Sequence, residues 1–302
     1  MIGTPIKYYR VEHDTHYRYQ YKVSLSQQLL HLAPRSFDYQ TCLAQHIDIQ
    51  PVSADWVERS DYFGNPTRHV TLTTMHNTLT VKAYSTVALS ARPTIQALRH
   101  SAPWDVLHDA LLRTDLATTS APFHFLYESP HISLSAALRA YAQPCFSPGR
   151  ALLEATLALT EQIYRDFEFD PTATTIATPL SEVMRGRRGV CQDFAHLMIG
   201  CLRSLGLACR YVSGYLLTTP PPGQPRLIGA DASHAWVSVF APDIGWVDFD
   251  PTNCCLVQDE HITLGWGRDF SDVTPLRGVV LGGGEQKLEV KVTVTPIAPP
   301  AA

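Results

Sequence analysis

What this chain of 302 residues lacks narrows its identity first. No stretch approaches the roughly 18 consecutive apolar residues of a membrane-spanning helix. Yet 45% of the residues are apolar, which suits a globular protein of about two domains. There is no Cys-x-x-Cys pair, and the seven cysteines are odd in number, so neither a disulfide framework nor a structural zinc site is expected. A net charge of −4 gives no basic footprint for nucleic acid. The first ten residues lack the charged-then-apolar layout of a secretory leader, so the expected address is cytoplasmic, with no membrane partner. Internal repeats and low-complexity blocks are missing too. The single biased patch, Thr-Thr-Pro-Pro-Pro-Gly-Gln-Pro at 218–225, reads as a lid beside a site or as a solvated hairpin loop.

Against that background, Arg-Gly-Val-Cys-Gln-Asp-Phe-Ala-His-Leu at 188–197 stands out. It sets one thiol, Cys191, where a glycine loop becomes an apolar helix. The first helical turn carries unsatisfied N–H groups and the positive end of the macrodipole, and both favour thiolate over thiol. Cys191, Ala195, Met198 and Leu202 advance by helical steps, with Phe194, Ile199 and Leu205 on the same stripe, so Cys191 heads the buried face. Taken alone, a single cysteine is more often a small core residue.

A nucleophilic thiol needs a base, and the base needs an orienting group. Residues 233–240 (Ser-His-Ala-Trp-Val-Ser-Val-Phe) and 245–250 (Gly-Trp-Val-Asp-Phe-Asp) are β-rich runs joined by Ala-Pro-Asp-Ile, a hairpin composition. If Val239 lies opposite Gly245, His234 falls directly across from Asp250 on one face. Asp248 shares that parity and stays a rival. A thiol at a helix start followed by His and Asp on consecutive strands favours nucleophilic catalysis over the structural reading of each residue alone.

Four segments, Gly189-Val-Cys-Gln-Asp-Phe-Ala-His, Leu202-Arg-Ser-Leu-Gly-Leu-Ala-Cys-Arg-Tyr-Val-Ser-Gly-Tyr215, Ala232-Ser-His-Ala-Trp236 and Gly245-Trp-Val-Asp-Phe-Asp-Pro-Thr-Asn253, resemble the bacterial transglutaminase-like superfamily, a group associated with cysteine proteases. The resemblance extends to Gly267-Arg-Asp-Phe-Ser-Asp-Val-Thr-Pro-Leu-Arg-Gly278. It is seen again at the start, in His13-Asp-Thr-His-Tyr-Arg-Tyr and Leu30-His-Leu-Ala-Pro-Arg35, and is weakest over 93–145. It implies a papain-like core with Cys191 as nucleophile, His234 as base and Asp250, rather than Asp248, as orienting acid. No cofactor and no metal are expected. The pair Cys254-Cys255 departs from the family pattern and raises the question of redox control.

Residues 6–24, 43–59, 67–74 and 78–90 are rich in Tyr, Val, Thr and Ile, with turn signals such as Phe63-Gly-Asn-Pro66, and read as one antiparallel sandwich. Helical patterns follow at about 103–116, 134–142 and 149–167, then strands from about 208 to 250. Residues 285–295 alternate as a closing strand that suits either domain. The expected class is therefore α+β: an N-terminal β-sandwich-like domain (1–92), a helical linker region (93–148), a papain-like or transglutaminase-like core (149–256) and a C-terminal extension (257–302).

The implied chemistry is amide cleavage through a thioester, with backbone N–H groups at the start of the Cys191 helix receiving the oxyanion. Gln192 and Tyr215 are candidate substrate contacts. Peptidase or amidase action on peptide or isopeptide bonds is the first reading, and transglutaminase-type transfer to an amine uses the same residues. A non-catalytic peptide-binding module is the third, disfavoured by the intact Cys, His and Asp. Resemblance suggests peptide-ligase-related partners and small amide-bonded peptides as substrates. His13 and His16, three apart in a strand, face opposite ways and read as structural. His196 lies about 140° around the helix from Cys191 and points away from it. Arg268 and Asp269 read as a pair with each other.

Overall fold

The computed structural model describes residues 6–52, 55–107, 121–218 and 232–300. Its longest strand, β1 (Lys7–Leu30), organises the N-terminal sheet. β2 (Gln40–Gln50), β3 (Asp55–Ser60), β4 (Pro66–Leu72) and β5 (His76–Leu89) complete the order β2-β5-β1-β4-β3. The first half of β1 pairs with β5 and the second half with β4; the exchange falls where the register shifts between Arg18 and Val23. One curled sheet thus does what a sandwich does, enclosing Tyr19, Val23, Leu30, Val70, Leu72, Leu79 and Val81.

Helices follow. The expected helix at 103–116 is helical over 104–107, and its remainder lies outside the described residues. α1 (Ala136–Ala142), α2 (Leu152–Asp166), α3 (Leu180–Gly186) and α4 (Cys191–Ser204) lead into the core. The short strands β6 (Glu168–Phe169) and β7 (Arg188–Gly189) pair in parallel just before α4. Every residue of α4 from Asp193 to Arg203 is buried, so the apolar stripe read from the sequence is the heart of a helix covered all round.

The covering sheet consists of β8 (Cys209–Leu216), β9 (Ala232–Ala241), β10 (Gly245–Asp250), β11 (Cys255–Leu256) and β12 (His261–Gly267), in the order β11-β10-β9-β8-β12. Cys209, Tyr211, Ala235, Val237, Val239, Val247 and Phe249 alternate onto the face that packs with α4. The proline patch at 218–225 lies almost wholly outside the described residues.

The described part of the C-terminal extension, 257–300, is shared between the two sheets. β12 completes the core sheet, whereas β13 (Leu276–Gly282) and β14 (Gln286–Ile297) pair with β1, so the closing strand joins the N-terminal sheet. Val292 and Val294 are buried there against Tyr9, Val11, Tyr215 and Ile262.

β12 is an edge strand, and its outward backbone groups need partners. Two amide side chains of the N-terminal region supply them. Gln40 Nε2 donates to Thr263 O (2.7 Å) while its Oε1 accepts from Thr263 N (2.8 Å). Asn65 Nδ2 donates to Trp266 O (2.8 Å) while its Oδ1 accepts from Trp266 N (2.9 Å). Each amide acts as one residue of a further strand, which docks the N-terminal sheet on the core.

Candidate active site

Cys191 opens α4, half-buried. Asp193, two residues on, closes the helix start: its Oδ2 accepts from Val190 N (2.8 Å) and from Thr174 Oγ1 (2.6 Å). A carboxylate in the first turn also complements the macrodipole. A Cβ on Gly189 would meet Asp193 Oδ2 at 2.6 Å, so only glycine admits this closure.

His234, early in β9, lies beside Cys191, and the thiol is one of the groups that raise its pKa. Its Nε2 donates to Asp250 Oδ2 at 2.7 Å, which leaves Nδ1 for the thiol. Asp250 is fully buried. Its Oδ1 accepts from Thr252 N (2.9 Å) and Asn253 N (3.1 Å), and its Oδ2 also from Asn253 Nδ2 (2.7 Å). Burial alone would lower the His234 pKa; the bonds to Asp250 and Cys191 outweigh it and carry the pKa up to about 10. Burial would likewise raise Asp250, but His234 and His261 hold its carboxyl well below the usual range.

The hairpin register differs from the expectation by two residues. Val247, not Gly245, lies opposite Val239, so Asp250 stands beyond the last paired position and reaches His234 diagonally. A slip of two keeps side chains on their face, whereas a slip of one would have separated them. Asp248 keeps the same parity but is occupied elsewhere: its Oδ2 accepts from Arg92 Nη1 (2.6 Å) and Trp236 Nε1 (3.2 Å).

His261, at the start of β12, was not singled out in the sequence. Its Nε2 donates to Asp250 Oδ2 at 3.1 Å, and its ring packs edge-on against Trp236 at 5.2 Å. Burial pulls its pKa down despite Asp250, so it holds the carboxylate as a neutral donor. Gly214 makes room nearby: a Cβ there would meet Ile262 O at 2.1 Å and the Trp236 ring at 2.4 Å. His234, Asp250 and His261 bring three potential metal ligands within 4.8 Å of one another. Asp250 Oδ2 already accepts from both Nε2 atoms, so their arrangement is that of a hydrogen-bond relay.

Of the other candidates, Gln192 is half-buried beside Cys191. Tyr215 does not reach the thiol. It is buried among Tyr9, Val11, Val87 and Leu89, and its hydroxyl meets His13 Nδ1 at 2.9 Å, because that end of β8 rides over the N-terminal sheet instead of α4. The tyrosine near the thiol is Tyr211; burial first, then the charges of Cys191 and Asp193, hold its hydroxyl neutral. His196 faces away from Cys191, accepting from Phe270 N (3.2 Å) and stacking on His131. His13 and His16 bond to Thr15 and Thr80 within the sheet. Arg268 pairs with Asp272 (2.9 Å), not with Asp269; Asp269 is buried and accepts from His131 N and Ser271. Cys254 and Cys255 are free thiols with pKa values raised chiefly by burial, Cys255 to about 12.

Fold and site together define an α+β protein in which a helix-initial thiol meets an imidazole and a buried carboxylate. Residues 9–88 match the bacterial transglutaminase-like N-terminal region, and residues 139–251 match the transglutaminase-like superfamily. An uncharacterized protein of Mycobacterium tuberculosis is 42% identical over 295 residues, 95% of this chain and 92% of that protein. One from Mycobacterium leprae is 30% identical over 293 residues, covering 96% and 99%. A protein-glutamine gamma-glutamyltransferase of Pseudomonas aeruginosa is 31% identical over 103 residues, 32% of this chain and 15% of that one. The fold matches the crystal structure of a Cytophaga hutchinsonii protein provisionally designated a cysteine protease, with a TM-score of 0.78 and 19% identity over 100% of this chain and 94% of that one. This chain belongs to the transglutaminase-like superfamily.

Proposed function

We propose that the protein is a cysteine-dependent hydrolase of peptide or isopeptide bonds, with Cys191 as nucleophile, His234 as proton carrier and Asp250 as the residue that orients it. The observation that carries this is the hydrogen bond of 2.7 Å that ties His234 to the buried Asp250, with Cys191 next to the same imidazole. His234 holds the thiol proton as imidazolium, and the sulfur attacks the carbonyl carbon. The C–N bond breaks as His234 gives its proton to the departing amine, leaving a thioester. His234 then takes a proton from water, the hydroxyl adds to the carbonyl, and the C–S bond breaks to release the acid and the thiolate. In this reading the oxyanion is received by backbone N–H groups at the α4 start, which a helix leaves without intrahelical partners.

The same thioester can pass to an amine, a reading favoured by the name of the partial Pseudomonas aeruginosa relative. Incubation with a peptide pool and a labelled primary amine separates the two. Unlabelled, shortened or deamidated products support hydrolysis; the label on glutamine carbons supports transfer. The seven free cysteines suit a reducing cytoplasmic setting, which completes the proposal.

A further inference from the structure

The core sheet carries a second polar line that the relay does not use. Arg210 on β8, Ser238 on β9 and Asp248 on β10 are directly paired across three strands, so neighbouring side chains stand about 5 Å apart on one face. Arg92, just beyond β5, enters this line and donates through Nη1 to Asp248 Oδ2. Aromatic rings close the space. Arg210 lies 4.1 Å from the Trp246 centroid and 3.6 Å from that of Trp266. Arg35 also lies 3.6 Å from the Trp266 centroid, and two guanidinium groups that close to one ring take its opposite faces. Arg92 faces Phe37 and Tyr39. Arg92 and Arg210 are each only 8% exposed, and Ser238 is wholly buried.

Neither the donors nor the charges balance here. Arg92 Nη2, Arg210 Nε and Ser238 Oγ are buried with no hydrogen-bond partner among the described residues. Two guanidinium groups share one carboxylate, Asp248, because Asp61 on the Arg35 side is held by His31 and Asn65. Burial pushes Arg210 down to about 9; Asp248 opposes the shift, and Arg35 and Arg92 add to it. Tryptophan faces soften a buried cation but accept no N–H bond in the ring plane. A buried donor left unpaired costs its full desolvation, and a buried guanidinium without counter-charge costs more. A water can accept from two donors and brings no charge. One anion answers both deficits.

We propose that a single chloride-sized anion is bound between Arg92 Nη2, Arg210 Nε and Ser238 Oγ. Arg92 comes from the end of the N-terminal domain and the other two residues from the core sheet, so the ion fastens one to the other. It does so whatever reaction Cys191 performs.

Two measurements on the full chain test this. Crystals grown in sodium bromide and measured at the bromine absorption edge should show an anomalous peak touching those three atoms. In solution, the melting temperature in saturating sodium chloride should exceed that in sodium gluconate of equal ionic strength by about 2–4 °C, a difference that vanishes in Arg210→Met. Should Arg210→Met fail to fold, Ser238→Ala should shift the chloride titration to higher concentration. The proposal is overturned if no bromine peak falls at these atoms, or if chloride and gluconate melt the native chain alike. A peak without solution stabilisation means binding at crystal concentration only, and overturns it as well.

Discussion

Asp250 holds His234 by a 2.7 Å hydrogen bond from a position with no solvent exposure, while its second oxygen is tied to the backbone of Thr252 and Asn253. The carboxylate is thus fixed at both ends. An imidazole bonded to so immobile a partner has one orientation, with its remaining nitrogen toward Cys191.

Exchanging the two hairpin acids should therefore give different losses. Asp250→Asn should leave the fold nearly intact and slow turnover by about 10²–10⁴-fold, because the amide no longer fixes the imidazole tautomer. Asp248→Asn should act mainly on stability, since it leaves the buried Arg92 guanidinium without a full counter-charge, a loss of about 3–5 kcal/mol where a buried pair is broken outright. Kinetics and chemical denaturation of both variants check this; equal kinetic losses would reverse the assignment.

The pH dependence carries a definite sign. His234 is raised to about 10, so turnover should hold through the neutral range and fall as pH rises past that value. In Asp250→Asn burial is no longer outweighed, and the basic limb should move to lower pH. The stability that His234 contributes is present in full below its ordinary value of 6.5 and is lost as pH rises through about 10. Asp250 behaves oppositely: its contribution is present above 3.8 and is lost as pH falls through its depressed pKa. Denaturation curves from pH 3 to 11 should show the basic limb in full and the onset of the acid limb below 3.8.

His261 should act through Asp250 and not on substrate. His261→Phe removes a donor from the carboxylate and should slow turnover about tenfold and displace the basic limb, with KM unchanged. His261→Gln keeps an N–H near the same place and should recover most of the rate. Equal defects in the two variants would mean that ring packing on Trp236, not the hydrogen bond, is what matters.

Cys254 and Cys255 should play no part in redox control. Their pKa values are raised, which leaves little thiolate to oxidise, and Cys254 adopts a left-handed backbone (φ 53°) at the turn into β11. Peroxide should inactivate a Cys254→Ser, Cys255→Ser double variant at the native rate, with loss of activity tracking oxidation of Cys191. A protected double variant would make the pair a switch.

Local signals made much of the site readable from the sequence. The stripe heading from Cys191, the alternation of β9 and β10 and the turn between them are all written within some sixty residues, and the face shared by His234 and Asp250 survives a register slip of two. Other features depend on elements far apart in the chain. His261 reaches Asp250 although β12 joins the sheet beside β8, so no strand pairing announces the contact. β8 is buried along nearly its whole length, and alternation does not reveal that one end lies under α4 and the other, with Tyr215, under β14. α3 was missed because two turns of Leu-Ser-Glu-Val-Met-Arg-Gly are too short for a helical period to show. The ends of β14 were legible as a strand but not its destination, since its pairing with β1 spans almost the whole chain.

The nucleophile itself is the claim on which the rest depends. The direct measurement is the mass of the intact protein, followed by peptide mapping, after a brief incubation with an activated peptide ester and rapid acid quenching. An acyl group on Cys191 in the native chain, absent from Cys191→Ala although that variant melts at nearly the native temperature, is the expected result. Acylation elsewhere, or turnover of the ester by Cys191→Ala at the native rate, would contradict it.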